Sequence, residues 1–373
     1  MRNIESYARH LFSDEPKSLQ DHALLLLLGG VEKVYSFLLN MWVSFYDIGH
    51  LHRHRLDAYT LSIGNITAGG TGKTPLVRYM AQYLLAQGER VAIISRGYRS
   101  GWEERGGIVS DGMRLYATAD EAGDEPYLLA RVLPQAIVAV GKKRAKIAAR
   151  VETKYRPTIV LLDDAFQHWS LQRDVDIVLI DATNPFSNGR VLPRGLLREP
   201  LDHLERAHMY VVTKADAVAE ERLDEIIGNL RSFSSQAPIM VTAHHPGRLL
   251  AFADWAAGRE HTAILPRRVV TMCALGNPDS FERSARQAGL QAVGHIRHVD
   301  HHRYTAEDWR NAQAYARREK AQGIVVTEKD AVKLLDCVPS DTETLYVLTL
   351  DLRILSGERE FWEYIEEERE VRG

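Results

Sequence analysis

The sequence predicts an α/β fold: a mostly parallel sheet with helices on both faces, followed by a second, smaller α/β domain. Three observations carry this expectation. Short apolar runs recur at 60–64 (TLSIG), 91–95 (VAIIS), 136–140 (AIVAV), 158–162 (TIVLL), 176–180 (DIVLI) and 209–213 (MYVVT). They are rich in Val and Ile and lack polar alternation, as strands covered on both faces do. Helical stretches lie between several of them, at 74–87 and 141–153 for example, which is the alternation of a doubly wound domain.

Taken in order, the chain opens with its most apolar region, residues 23–46. Leu24 to Leu28 precede Gly29-Gly30, a pair that weakens a continuous helix. Beyond it Val31, Val34, Tyr35, Leu38, Met41, Trp42 and Phe45 recur at three- and four-residue steps and share one face, widened by Phe37, Leu39 and Val43. The basic cluster His50-Leu51-His52-Arg53-His54-Arg55 follows directly. A buried core helix and an interfacial helix lying on a membrane both fit this pattern. Residues 1–58 are read as a membrane-associated helical segment and 59–240 as the main α/β domain. Residues 241–262, punctuated by Pro246, Gly247 and Gly258, form a connector or β-ribbon. The smaller α/β domain spans 263–350, with helices near 278–289 and 306–321. Residues 351–373 end in a helix with Phe361, Trp362 and Ile365 facing inward.

Composition narrows the function classes. With 373 residues, 45% hydrophobic and 26% charged, the chain reads as an ordinary folded protein. A formal net charge of -3 provides no basic field for nucleic acid. Cys273 and Cys337 have the spacing of neither a metal site nor a disulfide framework. The opening MRNIESYARHLFSDEP lacks an apolar core with a small-residue cleavage site, so no secretory signal is expected. No uninterrupted apolar run of about 18 residues announces a transmembrane helix.

The chemistry starts at Asn65-Ile66-Thr67-Ala68-Gly69-Gly70-Thr71-Gly72-Lys73-Thr74, which follows one predicted strand and opens a helix. That is the context a phosphate-cradling P-loop requires. Glycines let backbone N–H groups turn onto phosphate oxygens, and the helix directs its positive end at the same place. Thr67, Ala68, Gly69, Gly70, Thr71 and Gly72 form the cradle; Lys73 reaches the terminal phosphates and the Thr74 hydroxyl ligates Mg²⁺. The standard pattern has Gly six residues before the Lys, where this chain has Thr67, so Gly69-Gly70 supply the flexibility.

A P-loop needs a further acid for Mg²⁺ at the end of a neighbouring strand. Asp163-Asp164 follow TIVLL directly. Adjacent carboxylates repel unless a cation sits between them, although a helix cap on a surface turn is the plain alternative. Gln167 and His168 add polar contacts toward phosphate or substrate. Asp124, in Gly123-Asp124-Glu125-Pro126, is either a helix cap or the group that activates an acceptor. The run His295-Ile296-Arg297-His298-Val299-Asp300-His301-His302 fits a metal site, a solvated loop, or a His supporting a catalytic carboxylate. Arg190, Arg194 and Arg198 in a Pro/Gly-punctuated loop suit phosphate contacts or simple solvation. Thr213-Lys214-Ala215-Asp216 echoes a guanine-binding motif with Thr in place of Asn, which leaves Lys214 beside a base.

These segments together resemble the tetraacyldisaccharide 4′-kinase family. SIGNITAGGTGKTP (62–75), SRGYRS (95–100), GDEP (123–126), LLDDAFQH (161–168), LPRGLLREP (192–200), VDHHRYT (299–305) and VTEKDAVKL (326–334) carry the resemblance across most of the chain. Ala165 stands where the family pattern has Gly, which leaves the carboxylates in place. The resemblance implies transfer of the γ-phosphoryl of ATP, with Mg²⁺, to the 4′-hydroxyl of an acylated glucosamine disaccharide 1-phosphate lipid, giving lipid IVA. It implies that Lys73 and Thr74 bind ATP and Mg²⁺ and that Asp163 and Asp164 hold the metal with Gln167 nearby. Asp124 is then the acceptor base oriented by a histidine of the Asp-His-His motif, His301 ahead of the alternative His302, with Arg198 and Glu199 near the phosphates or metal. It further implies two α/β domains joined by a β-ribbon with the active site in the cleft. The expected location is the cytoplasmic face of the bacterial inner membrane, with no obligate protein partner. The rival reading is a P-loop ATPase or GTPase acting as a metallochaperone or partitioning-type switch.

Overall fold

The computed structural model describes Tyr7, Leu11, Phe12, residues 18–259, His261, residues 266–339 and residues 342–372. Most of the stretch read for a secretory signal, and residues 260 and 262 of the expected connector, lie outside the described residues. The first elements are α1 (Leu19–Asp47), β1 (Tyr59–Asn65), α2 (Lys73–Ala86), β2 (Val91–Ser95), β3 (Gly107–Asp111), α3 (Ala119–Ala122), α4 (Asp124–Val132) and β4 (Ile137–Val140). Next come α5 (Arg144–Tyr155), β5 (Ile159–Asp163), β6 (Val175–Asp181), β7 (Met209–Thr213), α6 (Glu220–Phe233), β8 (Ile239–Ala251) and α7 (Phe252–Ala256). The last are β9 (Arg268–Cys273), α8 (Pro278–Gln287), β10 (Gln291–Arg297), α9 (Ala306–Arg318), β11 (Gly323–Thr327), α10 (Glu328–Leu334), β12 (Leu345–Ser356) and α11 (Glu358–Arg372). Short 3-10 turns occupy Leu201–Arg206 and Ala215–Ala217. The chain divides into two compact units, one of residues 1–73, 162–243 and 354–373, the other of residues 74–161 and 244–353.

In the first unit β8, β7, β6 and β1 lie side by side in that order. The three pairings are parallel, with Ile63 opposite Ile177 and Ile177 opposite Met209. Every residue of β1 and β7 is buried, as uninterrupted apolar runs require. Ile66, Phe166, Val178, Tyr210, Val212, Ile226 and Leu230 form one core that fixes where the strand ends emerge. The final helix buries Phe361, Trp362 and Ile365 as expected.

α1 departs from expectation twice. It runs unbroken through Gly29-Gly30, although each glycine costs a helix about 1 kcal/mol. A distant contact offsets the cost: a Cβ at Gly29 would lie 3.2 Å from Arg194 Nη1, and Glu32 pairs with Arg194 at 3.5 Å while accepting the Val191 N–H at 3.0 Å. A capping box between Ser18 and Asp21 starts the helix. Its polarity is inside-out. The buried residues are Asp21, Gly29 and Glu32, while Leu26, Leu27, Val31, Val34, Phe37, Leu38 and Trp42 are exposed. A core-helix role is excluded by that pattern. At 29 residues α1 is also long and apolar enough to cross a membrane.

The second unit holds two groups of strands. One runs β5, β2, β4, β3. β2 and β4 are parallel, and β3 is antiparallel to β4 with a register shift between Ile108 and Ser110. The other runs β10, β9, β11, β12, all parallel. Helices α8 and α9 fall where the smaller α/β domain was expected to have them. Part of the expected connector is the 13-residue strand β8, continued by α7, which buries Phe252 and Trp255. Within this unit Gly247 allows β8 to approach β12: a Cβ there would sit 2.3 Å from Thr349 Oγ1.

Candidate active site

β1 delivers the chain to the P-loop at Asn65, and the loop turns back into α2 at Lys73. Gly69 and Gly72 have φ of 134° and 88°, a backbone region in which a side chain is strained. The Lys73 ammonium donates to Asn65 Oδ1 at 2.9 Å and lies 3.4 Å from Asp164 Oδ1. The Asn65 amide also donates to the Thr67 carbonyl, and the Gln167 amide donates to the Asn65 carbonyl at 3.0 Å. Asn65 therefore ties three expected residues together, although its own role was not anticipated. The available signal was a fully buried polar residue ending an apolar strand.

A second segment lies along the loop. Ala68 N–H donates to the Leu196 carbonyl at 2.7 Å and Arg198 N–H to the Ile66 carbonyl at 2.8 Å. This alignment brings the Arg198 guanidinium to both oxygens of Asp164, at 2.9 and 3.1 Å, and to Gln167 Oε1 at 3.3 Å. The Thr213 hydroxyl donates to the Thr71 carbonyl at 2.8 Å, and Lys214 donates to the Gly70 carbonyl at 2.9 Å and pairs with Asp181. With the carbonyls of Gly70 and Thr71 held this way, the loop's shape is fixed before any ligand arrives. Lys73, Asp164, Gln167 and Arg198 thus converge, while Thr74 follows Lys73 in the first turn of α2 and Asp163 ends β5.

Glu199 sits differently from what the resemblance implies. It is fully buried, and its two oxygens accept from Arg206 at 2.6 and 2.9 Å and from His203 at 2.7 Å. Burial pushes its carboxyl up, but His203 and Arg206 outweigh that and leave it below the usual range. Arg206 also stacks on Phe166, 3.7 Å from the ring centre, and donates to the Phe166 carbonyl at 3.0 Å. That contact holds the turn carrying Asp164 and Gln167. His203 reaches back to Asn40 of α1 at 3.0 Å, and the Tyr35 hydroxyl donates to the Arg198 carbonyl at 3.0 Å.

The second unit holds the other expected pair. Asp124 is the first residue of α4, where the helix dipole favours a negative charge. Its Oδ2 lies 3.6 Å from His301 Nδ1 and 3.8 Å from Lys333 Nζ. Burial pushes the Asp124 carboxyl up; His301, Lys333 and Lys329 overturn this and hold it below the usual carboxylate range. The Tyr98 ring packs edge-on to His301 at 6.3 Å, and Asp300 Oδ1 accepts the His301 N–H at 3.0 Å. Lys333, part of the VTEKDAVKL segment, was not singled out in sequence. The histidine run itself splits. His295 pairs with Thr271 at 2.7 Å and lies 3.3 Å from Glu282, His301 faces Asp124, and His298 stacks on His302.

The profile of the family described as tetraacyldisaccharide-1-P 4'-kinase matches residues 24–370. The chain belongs to the tetraacyldisaccharide 4′-kinase family. It is 37% identical over 343 residues to a tetraacyldisaccharide 4'-kinase of Halothermothrix orenii, covering 89% of this chain and 88% of that one. A Geobacter metallireducens relative of the same name is 35% identical, over 90% and 96% of the two chains. A crystal structure of LpxK from Aquifex aeolicus in complex with ATP superposes with a TM-score of 0.73 at 27% identity, covering 92% of this chain and 99% of that one. The kinase transfers the γ-phosphoryl of ATP to the 4′-hydroxyl of tetraacyldisaccharide 1-phosphate in lipid A biosynthesis. The metallochaperone or switch reading is not favoured.

Proposed function

We propose that this kinase grips ATP with the 67–74 loop, supports the transferring phosphoryl with Lys73 and Arg198, and activates the acceptor hydroxyl with Asp124. The observation that carries the first part is the meeting of an ammonium, a guanidinium and a carboxylate at the loop, with Asn65 and Gln167 bracing them. Phosphoryl transfer asks mainly for alignment and charge stabilisation, which such a cluster supplies. Asp163, Asp164 and the Thr74 hydroxyl offer an oxygen-only donor set, which suits a hard cation such as Mg²⁺. Held there, such an ion would neutralise negative charge on the phosphates of ATP. Lys73 and Arg198 keep the Asp164 carboxylate oriented. Glu199 we assign to holding Arg206 and His203 rather than to the metal, because both its oxygens are engaged by these two residues and it is fully buried.

Asp124 is ionised at neutral pH and so is ready to accept a proton, with His301 and Lys333 positioning its carboxylate. Replacing Asp124 by Ala is expected to lower turnover roughly 10²–10⁴-fold while ATP binding stays intact. The assay is transfer from γ-labelled ATP to the disaccharide 1-phosphate lipid, read after thin-layer separation. Near-normal labelling by Asp124→Ala would refute the base assignment.

The membrane reading rests on α1. A four-chain acceptor stays in a bilayer, and the exposed apolar face of α1, followed by the basic residues 50–55, suits the lipid interface. Glu32, Tyr35 and Asn40 are engaged by residues 191–203 of the same unit, which favours a helix lying on the surface over one threaded through it. The cytoplasmic face of the inner membrane is where ATP and this acceptor meet. We assign no obligate protein partner.

A further inference from the structure

We propose that His298, His302 and Asp308 form a binding site for a borderline divalent transition-metal ion, of the zinc or nickel kind, whose occupancy damps the kinase through His301. The metal-binding half stands on geometry alone; the damping half rests on the reading of Asp124 and His301 above. One ligand atom from each of the three residues lies within 4.8 Å of the others. The two imidazoles are stacked, 4.3 Å between centres and 11° between planes, so their nitrogens lie side by side and one ring has to turn for both to meet the same ion. His302 Nε2 already lies 3.2 Å from Asp308 Oδ2.

The surroundings hold these ligands in place, as outer contacts do at metal sites. Asp308 is fixed by the Thr305 N–H and hydroxyl, both at 2.8 Å, in the capping box of α9. Tyr304 packs edge-on against both imidazoles, at 5.3 Å each, and its hydroxyl donates to Asp330 at 3.2 Å. The His298 N–H is tied to the Cys273 carbonyl at 2.9 Å, and the His302 N–H to the Val299 carbonyl at 3.0 Å.

Ligand chemistry sets the ion. Two imidazoles and one carboxylate suit zinc, nickel or cobalt, whereas Mg²⁺ prefers oxygen donors in octahedral array. Three protein ligands leave one position open for water. Metal–nitrogen bonds of about 2.0–2.1 Å put neighbouring tetrahedral ligand atoms roughly 3.3 Å apart, so a spread of up to 4.8 Å has to close by on the order of 1 Å. That contraction pulls on the backbone at His302, one residue from His301, whose separation from Asp124 is already 3.6 Å. Drawing the loop toward the metal loosens this pair.

The test titrates Zn²⁺ into the full-length kinase against a chromophoric zinc indicator, with Co²⁺ absorption as a second readout. One ion per chain is expected, with a tetrahedral cobalt spectrum. His298→Ala should weaken zinc binding at least tenfold, as should Asp308→Asn, which retains a side chain able to cap α9. At saturating Mg-ATP, zinc should inhibit the wild type and leave His298→Ala active. Asp124→Ala should bind zinc like the wild type, so failure of the base assignment leaves the binding result standing. Equal zinc affinity in wild type and His298→Ala overturns the site. Zinc binding that His298→Ala weakens, with no inhibition of the wild type, overturns the coupling to His301.

Discussion

Asp164 and His301 share an uncommon backbone state, with φ of 52° and 60°. A non-glycine residue there costs on the order of 1–3 kcal/mol, and such strain concentrates where a side chain must be aimed. In Asp164 it aims the carboxylate at Lys73 and Arg198; in His301 it aims the imidazole at Asp124. The Asp124 carboxyl illustrates the balance of forces. Its depressed pKa keeps it a base at neutral pH, and protonation begins only as pH falls toward that lowered value. Removing His301 takes away one of the opposing groups while burial, the largest influence, remains. The Asp124 pKa should therefore rise in His301→Ala. As the solution is acidified from neutral pH, activity of that variant is expected to fall away at a higher pH than that of the wild type. A rate profile unchanged in shape, whatever its height, counts against this. Glu199 makes the complementary case for stability. Arg206→Met leaves a fully buried carboxylate without its main partner, an error worth about 3–5 kcal/mol. Urea unfolding at neutral pH measures it, and a loss under 1 kcal/mol would show that the Glu199–Arg206 pair contributes little. Neither effect was legible in sequence. The resemblance had paired Asp124 with His301, but Lys333 on another turn and the pairing of Glu199 with Arg206 went unnamed.

Helices and strands were legible to the extent that their partners were local. Uninterrupted apolar runs located β1, β2, β4, β5, β6 and β7 within a residue or two, because these strands are buried on both faces. β10 and β12 were missed because exposed and half-exposed residues interrupt them. The α1 break at Gly29-Gly30 was expected on propensity, and a contact with Arg194, far along the chain, overrode it. What sequence could show was the apolar stripe; what it could not show was that the stripe faces outward. That orientation makes a clean experiment. Leu38 and Trp42 are about half exposed, so charging them removes no core contact. Leu38→Glu with Trp42→Glu is expected to leave folding intact and move the enzyme from the membrane to the soluble fraction. Unchanged fractionation, with the protein still folded, would end the interfacial reading.

At the scale of the whole molecule, the two proposed constellations lie on separate stretches of chain: residues 65–73, 164–167 and 198 for the nucleotide, and residues 124, 301 and 333 for the acceptor. Their order in sequence alternates; motif reading found most members and paired Asp124 with His301, while the parts played by Asn65 and Lys333 emerged only with the fold. If they do separate jobs, binding and proton removal should fail independently. A ligand that binds only the folded state stabilises it by RT ln(1 + [L]/Kd), about 2.7 kcal/mol at one hundred times Kd. Wild-type protein and Asp124→Ala should both gain this from Mg-ATP, seen as a similar rise in Tm. Lys73→Met should lose most of it, since its ammonium ties the loop to Asn65 and Asp164 and is the group proposed to meet the phosphates. If Asp124→Ala lost the Mg-ATP shift as fully as Lys73→Met, Asp124 would belong to nucleotide binding, and its assignment as acceptor base would have to be withdrawn.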